Sequence, residues 1–261
     1  MHVDLSGLRA LVTGSTKGIG HAVAKKLAAC GATVAVNGRR DEDVAEAIDS
    51  IQAAVPEAEL FAAPGDAATA RGIVAITQAA GAVDILVNNV GIFEVKDAFA
   101  IPDEDWQRMF ETNVMSGVRL TRHYGPRMRE KGFGRVVFVS SESGIQIPTE
   151  MIHYGFSKSA DLALMRGFAQ ALADTGVTVN AVLPGPTRTE GVEAMFAADG
   201  RPMTAEGERA FIDEARPTSI IKRLIRPEEI ADVVAFLVSH EGGAITGSPV
   251  RVDGGLVLSI T

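Results

Sequence analysis

The chain has 261 residues, of which 46% are hydrophobic, enough to build a sizeable core. Its 25 Lys and Arg residues against 33 Asp and Glu residues give a net charge of −8, and such a field argues against a nucleic-acid partner. No stretch reaches the roughly 18 uninterrupted apolar residues of a membrane span, and the N-terminal sequence does not resemble a signal peptide. We therefore expect a cytoplasmic protein with no membrane partner, and a single domain over residues 1–261.

The chain contains one cysteine and five histidines. A lone cysteine, Cys30, cannot form an internal disulfide or a cysteine-cluster metal site. It lies near the end of an apolar helical segment, so we expect it to be a small core residue. The histidines show no metal-ligand spacing. We therefore expect no metal ion.

Short apolar runs alternate along the chain with longer segments of helical periodicity. The predicted strands are 8–14, 32–38, 58–64, 83–89, 134–140, 177–184 and 248–254. The predicted helices are 18–30, 41–54, 67–80, 103–130, 151–175 and 227–239. This alternation predicts an α/β fold, a doubly wound parallel sheet with helices on both faces. The nearly continuous apolar character of the strands fits burial on both sides.

One segment, residues 185–226, interrupts this alternation. It contains no strand-like run and carries Gly and Pro at intervals. A long irregular segment in a compact domain is usually functional or disordered. Scattered apolar residues such as Phe196 and Phe211 favour short helices over a linker. We therefore predict a substrate lid over about residues 188–215.

A glycine-rich sequence, TGSTKGIG (13–20), connects the first predicted strand directly to a helix. Gly14, Gly18 and Gly20 permit a tight turn, close approach of the backbone to a pyrophosphate, and packing of the helix on the sheet. The helix N-terminus offers unpaired N–H groups and the positive end of the helix dipole. The spacing differs from the common G-x-G-x-x-G fingerprint, so a simple glycine-rich turn remains open. The position between strand and helix favours a dinucleotide site.

The end of the second strand indicates which dinucleotide is bound. An NAD site has a carboxylate there for the ribose 2′-hydroxyl, but this chain has Gly38 followed by Arg39 and Arg40. A guanidinium suits a 2′-phosphate, and Lys17 in the glycine loop adds a second cation. We therefore expect NADP(H), with NAD(H) as the less favoured cofactor. The alternative is that both arginines are solvated surface residues and that Asp41 caps the next helix.

These features, together with motifs farther along the chain, resemble the classical short-chain dehydrogenase/reductase family. The resemblance covers nearly the whole chain and is carried, in the family's order, by TGSTKGIG (13–20), NNVG (88–91), TNVMSG (112–117), the set Ser141, Tyr154 and Lys158, PGPTRT (184–189) and VDGG (252–255). It implies a Rossmann-type, seven-stranded sheet that binds the cofactor and supplies catalysis within one domain.

The resemblance also implies roles for individual residues around the cofactor. It assigns the phosphates and the adenosine side to Gly14, Ser15, Thr16, Lys17 and Ile19. The remaining positions implied to meet the cofactor are Asp66 and Ala67 at the adenine, Asn89 and Gly91 near the adenosine ribose, Thr187 at the nicotinamide carboxamide, and Tyr154 and Lys158. The chain has Val90 where the family usually has alanine, which crowds this wall slightly.

Tyr154 and Lys158 are four residues apart and therefore lie on one face of a helix. A free phenol has a pKa near 10, and a nearby ammonium favours the phenolate. We expect Lys158 to lower the pKa of Tyr154, which then serves as general acid in carbonyl reduction and general base in alcohol oxidation. By the resemblance, Lys158 also binds the nicotinamide ribose.

Three further polar residues are candidates for the same site. Ser141 lies at the family's spacing before Tyr154, and the resemblance assigns it to polarising the substrate oxygen, whereas Ser140 is expected to be structural. Asn113 matches an asparagine that holds a water linked to the lysine in this family; the alternative is an amide bonded to the backbone. Glu142 either touches substrate at the edge of the pocket or is a solvated carboxylate. His153 is expected to be a packing or rim residue.

The sequence thus predicts reversible hydride transfer between NADP(H) and a small-molecule carbonyl or secondary alcohol. The substrate wall is expected in residues 142–151, Phe93 and the lid. One alternative is reduction of 3-oxoacyl groups on acyl carrier protein, for which three basic residues near the end of a long helix could supply part of a patch: Arg127, Arg129 and Lys131. The other is an NADP-binding regulator without activity. Family analogy implies a homotetramer.

Overall fold

In a computed structural model that describes residues 3–260, seven strands form one sheet. The strands are β1 (Arg9–Val12), β2 (Thr33–Val36), β3 (Leu60–Ala62), β4 (Ile85–Asn88), β5 (Gly134–Val139), β6 (Val177–Pro184) and β7 (Pro249–Val252). Their order is β3-β2-β1-β4-β5-β6-β7, and every neighbouring pair is parallel. Each lies within a predicted strand, and no end is trimmed by more than two residues. The predicted α/β fold is confirmed.

Helices cover both faces of the sheet. They are α1 (Gly18–Ala29), α2 (Asp41–Ala54), α3 (Ala70–Ala80), α4 (Asp103–Met109), α5 (Ser116–Lys131), α6 (Ile152–Ala171), α7 (Glu190–Ala198), α8 (Ala205–Ala215) and α9 (Pro227–Val238). Between residues 3 and 260, none of them combines the length and the apolar character needed to cross a bilayer.

Two hydrophobic cores hold the layers together, one on each face. On one face α1, α2 and α9 contribute buried residues such as Leu27, Ile51 and Val234. On the other face α3 and α5 contribute Ile76 and Leu120, which are also fully buried. Burying one such aliphatic side chain contributes about 1.5–3 kcal/mol. The strands between these cores are apolar on both sides, as the doubly wound prediction requires.

The order of the strands fixes where a ligand can bind. The chain moves from β1 outward through β2 to β3, and then returns to start β4 on the other side of β1. In such sheets a crevice opens beyond the carboxyl ends of the strands at this reversal. The loops after β1, β4 and β5 all leave the sheet at this edge. They carry most of the residues that the sequence predicts for the site.

The predicted helix 103–130 is not continuous. The structure gives α4, then a π-helical turn over Phe110–Met115, and then α5. A π-turn inserts one extra residue per turn and is frequent at functional sites. The apolar spacing over six residues does not distinguish it from an α-helix, which explains the error. The turn contains Asn113, one of the predicted site residues.

The segment 185–226 contains two helices, as its scattered apolar residues suggested. Thr189 caps α7 and Thr204 caps α8 through their side-chain oxygens. Phe196, Ile212 and Leu224 form a small buried cluster of their own, apart from the two main cores. The segment therefore packs largely on itself while it lies at the edge of the site.

Cys30 was expected to be a core residue and is only partly buried. It contacts the core next to α1, but it occupies the C-terminal cap of that helix. One side of the residue therefore faces outward where the helix ends.

The start of α9 is fixed by one carboxylate. Glu229 accepts a hydrogen bond from the N–H of Arg226 at 2.8 Å and two from the guanidinium of Arg223 at 2.7 and 2.8 Å. Hydrogen bonding from Arg223, followed by that from the Arg226 N–H, lowers the pKa of Glu229 to about 2. This side chain therefore stabilises the folded state in its ionised form.

We expect Glu229→Gln to lower the free energy of unfolding by about 1–2 kcal/mol at neutral pH, less than the full pKa shift implies because the carboxylate is partly exposed. The folded-state pKa is depressed, so the stabilisation is present above about pH 4.5 and is lost as the pH falls towards about 2. Urea unfolding at neutral pH and at about pH 3 should therefore show a smaller difference in acid. The control is Glu228→Gln, an exposed carboxylate on the same turn. Equal losses in both variants would contradict this assignment.

Candidate active site

The glycine loop leads from β1 to α1 through two left-handed turns. Gly14 has φ +60° and Gly18 has φ +57°, conformations that favour glycine. A Cβ on Gly20 would lie 2.3 Å from the carbonyl oxygen of Gly14, so only glycine lets the helix approach the loop this closely. These contacts give each glycine of the motif a structural reason for its position.

The N-terminus of α1 has the features of an anion site. No side chain caps it, and its first turn contains no acidic residue. The N–H groups of this turn and the helix dipole therefore face the loop. The residues present fit the pyrophosphate of a dinucleotide, because the helix end is uncapped and its own first turn has no carboxylate. The one acidic group that the contacts of the three glycines show near it is Glu190, whose Oε2 atom would lie 3.6 Å from a Cβ on Gly18.

Ser15 is on the loop as predicted, but its hydroxyl faces inward. It donates to the carbonyl of Val12 at 2.8 Å and accepts from the N–H of Asn37 at 2.9 Å. The backbone N–H of Ser15 also donates to the carbonyl of Asn37. The side chain therefore supports the loop from within, whereas Thr16, Lys17 and Ile19 reach the surface to different extents.

The end of β2 carries no carboxylate. Asn37 is buried and donates to the carbonyls of Ala63 and Gly65, and it accepts from the N–H of Gly14. A Cβ on Gly38 would lie 2.5 Å from the Cγ2 atom of Thr16, so the chain has no space for an acidic side chain there. The ribose acid of an NAD site is therefore missing at this position, in agreement with the sequence prediction.

The two arginines that follow differ in their surroundings. Arg40 is ion-paired with Asp43 on α2, whereas Arg39 is exposed. Both Arg39 and Lys17 are close enough to Asp43 to help lower the pKa of that carboxyl, after the larger effect of Arg40. Asp41 is the first residue of α2 and does not cap it; Arg40 holds the cap position without a side-chain bond. The alternative role for Asp41 is therefore wrong.

A cleft of about 250 Å³ opens beside these cations, between the glycine loop and α2. Its walls include Thr16 and Lys17 but also the carboxylates of Asp43, Glu46 and Glu190. The corner therefore offers cations to a phosphate, and Arg40 offsets one of the three opposing carboxylates.

The wall for the adenosine half is built from the ends of β3 and β4. Asp66 accepts from the N–H of Ala68 at 3.0 Å, and Ala67 is buried. Asn89 donates to the carbonyls of Thr13 and Gly14 at 2.9 and 3.1 Å, which ties the end of β4 to the glycine loop. The amide of Asn89 thus braces the loop.

The predicted crowding at Val90 is present. A Cβ on Gly14 would lie 3.1 Å from its Cγ2 atom. Thr187 is buried and donates its hydroxyl to the carbonyl of Gly185 at 2.8 Å. The hydroxyl proton is therefore used within the protein, while the hydroxyl oxygen can still accept a hydrogen bond.

Ser141, Tyr154 and Lys158 meet beyond the carboxyl end of β5. The amine of Lys158 donates to the carbonyl of Val139 at 2.9 Å and lies 6.0 Å from the centre of the Tyr154 ring. Gly91 lies against the same amine, since a Cβ there would be 3.4 Å from it. The three residues and the NNVG motif are therefore brought together as the sequence predicted.

Lys158 also has a partner that sequence reasoning missed. Asp161 lies one helical turn farther along α6, with its Oδ2 atom 3.1 Å from the Lys158 amine. Both side chains are 4% exposed. The sequence signal was an acidic residue three positions after the lysine on the same helix.

The electrostatics of Tyr154 differ from the sequence prediction. Burial raises its pKa, the ammonium of Lys158 opposes that rise, and the carboxylates of Glu142 and Asp161 add to it. Lys158 acts to lower the pKa of Tyr154, as expected, but burial and the two carboxylates together raise it by more. The reason is that the sequence did not reveal the partial burial of Tyr154 or the two carboxylates nearby.

The two serines have separate environments. Ser140 donates to the backbone carbonyl of Lys158 at 2.8 Å, as expected for a structural residue. Ser141 donates to the carboxylate of Glu142 and accepts from the N–H of Ser143 at 3.1 Å. Glu142 is buried and is therefore not the solvated carboxylate that the sequence left open.

Glu142 is linked in turn to the 185–226 segment. Its Oε1 atom is 3.3 Å from the Nε atom of Arg216, which follows α8. Arg216 also lies 3.6 Å from Glu150. An ion pair therefore joins the segment to the residue next to Ser141, and no local sequence pattern indicates a contact across 74 positions.

Asn113 braces the loop after β4. Its amide nitrogen donates to the carbonyl of Ile92 and to the hydroxyl of Ser157, both at 2.9 Å, and its oxygen accepts from the Ile92 N–H at 2.8 Å. Asn113 is therefore bonded to the backbone, as the alternative interpretation expected, and its backbone partner is Ile92 in another segment. His153 is fully buried and packs edge-on against Trp106, as expected for a packing residue.

Comparison with known proteins gives a consistent result over the whole chain. A family model described as enoyl-(acyl carrier protein) reductase matches residues 14–257. An uncharacterized oxidoreductase of Bacillus subtilis, YvaG, is 51% identical over 263 residues, with 100% of each chain covered.

Solved structures agree with this match. L-sorbose reductase from Gluconobacter frateurii, complexed with NADPH and L-sorbose, is similar with a TM-score of 0.92 and 29% identity over 100% of both chains. A short-chain type dehydrogenase/reductase from Mycobacterium marinum is similar with a TM-score of 0.86 and 32% identity over 98% of each chain.

Proposed function

Because the chain belongs to the short-chain dehydrogenase/reductase family, we propose that it transfers a hydride between NADP(H) and a carbonyl or secondary alcohol group of a small molecule. The observation that carries the proposal is the convergence of Ser141, Tyr154 and Lys158 beside a loop that fits a pyrophosphate. When bound, the dinucleotide supplies the hydride. The protein supplies orientation, a proton and a water-poor site.

Tyr154 is the proposed general acid and base. Its phenol donates a proton to the substrate oxygen during reduction and accepts one during oxidation. Ser141 lies within hydrogen-bonding contact of this phenol, and Lys158 provides the cation that stabilises the phenolate when it forms. The ammonium has three donors and uses two of them on Val139 and Asp161. The third is available to a ribose hydroxyl.

The cofactor preference rests on charge at the end of β2. Gly38 leaves no carboxylate for a ribose hydroxyl, and the exposed cations of Arg39 and Lys17 suit a 2′-phosphate. The similar L-sorbose reductase is complexed with NADPH, which supports the same choice here. NAD(H) is the less favoured alternative, and the carboxylates of Asp43 and Glu46 work in its favour.

The proposed substrate pocket lies between Tyr154 and a lid formed by residues 188–215. Phe93 packs edge-on against the Tyr154 ring with centres 6.3 Å apart, and it is half exposed. Ile145 and Ile147 are also partly exposed on the wall that follows Ser141. Such a wall suits a small molecule with an apolar portion and a few polar groups.

Family analogy supports a homotetramer in the cytoplasm. Phe110 and Phe156 expose 39% and 46% of their surfaces, on the π-turn before α5 and on α6. Exposed apolar side chains on neighbouring helices suit a contact between subunits.

Reduction of 3-oxoacyl groups on acyl carrier protein is the second candidate. The description of the matching family model favours a carrier-linked substrate. The basic patch that such a carrier needs is weaker than the sequence suggests, because Lys131 is ion-paired with Asp84. Arg127 and Arg129 remain exposed. A regulator without activity is the third candidate, and loss of turnover on changing Tyr154 would exclude it.

We expect the protein to consume NADPH with at least one member of a panel of small ketones, ketoses, ketosteroids and 3-oxoacyl thioesters, or to reduce NADP+ with a polyol or another secondary alcohol. Tyr154→Phe should lower kcat about 10²–10⁴-fold, because general acid catalysis is removed, while NADPH still binds. Nicotinamide absorbance measures the rate and a fluorescence titration measures binding. The control is Tyr124→Phe, which changes the other tyrosine of the chain, a core residue on α5. Full turnover by Tyr154→Phe would exclude the proposed role.

We expect Arg39→Ala to weaken NADPH binding about tenfold and to leave NADH binding unchanged, because a charge-assisted contact to the 2′-phosphate is lost. Titrations with both dinucleotides measure the effect. Arg129→Ala, an exposed arginine on α5, removes the same charge elsewhere and should change neither affinity. Equal losses for NADPH and NADH in Arg39→Ala would argue against recognition of the 2′-phosphate.

A further inference from the structure

Asp161 is a buried acid at the proposed site to which the function above gives no role. Its Oδ2 atom is 3.1 Å from the amine of Lys158, and both side chains are 4% exposed. Its Oδ1 atom is buried and has no hydrogen-bond partner among residues 3–260. Burying a carboxylate with an unsatisfied oxygen costs free energy. The free-energy cost of burying Asp161 beside Lys158 suggests that this carboxylate has a function.

A purely structural role explains little of this arrangement. Asp161 and Lys158 lie on the same helix, three residues apart, so their pairing does not join two elements of the fold. The link from α6 to the sheet is made by the bond from Lys158 to the carbonyl of Val139. Asp161 therefore adds negative charge beside the ammonium without adding a tertiary cross-link.

The charges that face Tyr154 come from three elements. Lys158 and Asp161 lie on its own helix, and Glu142 lies in the turn after β5. Arg216, which follows α8, is paired with Glu142 at 3.3 Å. The π-turn contributes Asn113, which is neutral, and Phe93 packs against the ring from the loop after β4. Two ion pairs therefore lie near the phenol, Glu142–Arg216 and Lys158–Asp161, and only the second includes the ammonium that favours the phenolate.

We propose that Asp161 is a positioning residue that holds the ammonium of Lys158 and offsets part of its charge, so that Tyr154 keeps its proton through neutral pH. The site is then adjusted for donating a proton to a substrate oxygen, that is, for carbonyl reduction at neutral pH, with alcohol oxidation favoured only in alkaline solution. The assignment of direction rests on the proposed function. The effect of Asp161 on Tyr154 does not.

The directions of the pKa shifts agree with this geometry. Burial raises the pKa of Tyr154, and the carboxylate of Asp161 adds to the rise that Lys158 opposes. Burial also raises the pKa of Asp161 to about 6, and Lys158 opposes that shift. Asp161 is therefore ionised above about pH 6, and its offset of the Lys158 charge is present there and is lost below it.

The chain offers a direct way to measure this effect, because it has only two tyrosines. Tyr124 is fully buried, its hydroxyl has no partner among the described residues, and burial raises its pKa to about 12. Tyr124→Phe therefore removes a hydroxyl that makes no hydrogen bond and leaves Tyr154 as the one tyrosine in the chain. The ultraviolet absorbance of tyrosinate then reports the ionisation of Tyr154, with no substrate or dinucleotide present.

In the Tyr124→Phe protein, we expect Asp161→Asn to lower the midpoint of the tyrosinate titration by about one pH unit. Asp174→Asn is the matched control. It removes the same charge from an exposed position beyond α6, where φ is +60° and asparagine is tolerated. This control should leave the midpoint unchanged. In the protein that retains Tyr124, Asp161→Asn should also move the pH profile of alcohol oxidation to lower pH.

Each result decides the matter. An unchanged midpoint in Asp161→Asn would overturn the proposal, and a higher midpoint would show that Asp161 acts by keeping Lys158 protonated instead. If Asp161→Asn does not fold, Asp161→Ser replaces it, and failure of both variants to fold would establish the structural role and overturn the proposal. If the midpoint shifts but no substrate is turned over, the proposed function is contradicted, whereas the effect of Asp161 on Tyr154 is supported.

Discussion

The buried ammonium of Lys158 is the interaction on which the arrangement of the site depends. It joins α6 to β5 through the carbonyl of Val139, and it is held by Asp161 on its own helix. A charge that is this deeply buried must be paired and hydrogen-bonded. Because α6 is fixed in this way, Tyr154 comes to the carboxyl end of β5 beside Ser141, which lies in the turn after that strand.

The reversal of strand order supplies the second half of the site. The loops after β1 and β4 meet where Asn89 donates to the carbonyls of Thr13 and Gly14. That bond sets the glycine loop against the NNVG motif, and Asn113 braces the motif by binding Ile92 from the π-turn. The proposed dinucleotide site and the proposed proton-transfer site are therefore two ends of one crevice, which this polar network holds together.

Much of the fold and of the site could be predicted from the sequence, because strands buried on both faces are apolar throughout and the motifs follow a known order. The π-turn around Asn113 could not, since the apolar spacing of six residues fits two kinds of helix. The pairs Lys158–Asp161 and Glu142–Arg216 depend on burial and on contacts distant in sequence. For the same reason the direction in which Lys158 shifts the pKa of Tyr154 could be predicted, but the balance of all contributions could not.

The central proposal is hydride transfer assisted by the Tyr154 phenol. The most direct measurement follows deuterium from the transferable position of labelled NADPH into the product of a carbonyl substrate. With the native protein, we expect the label to appear on the former carbonyl carbon. We expect Tyr154→Phe to bind labelled NADPH but to form almost no labelled product. Oxidation of NADPH without label in the product, or equal labelling by Tyr154→Phe, would contradict it.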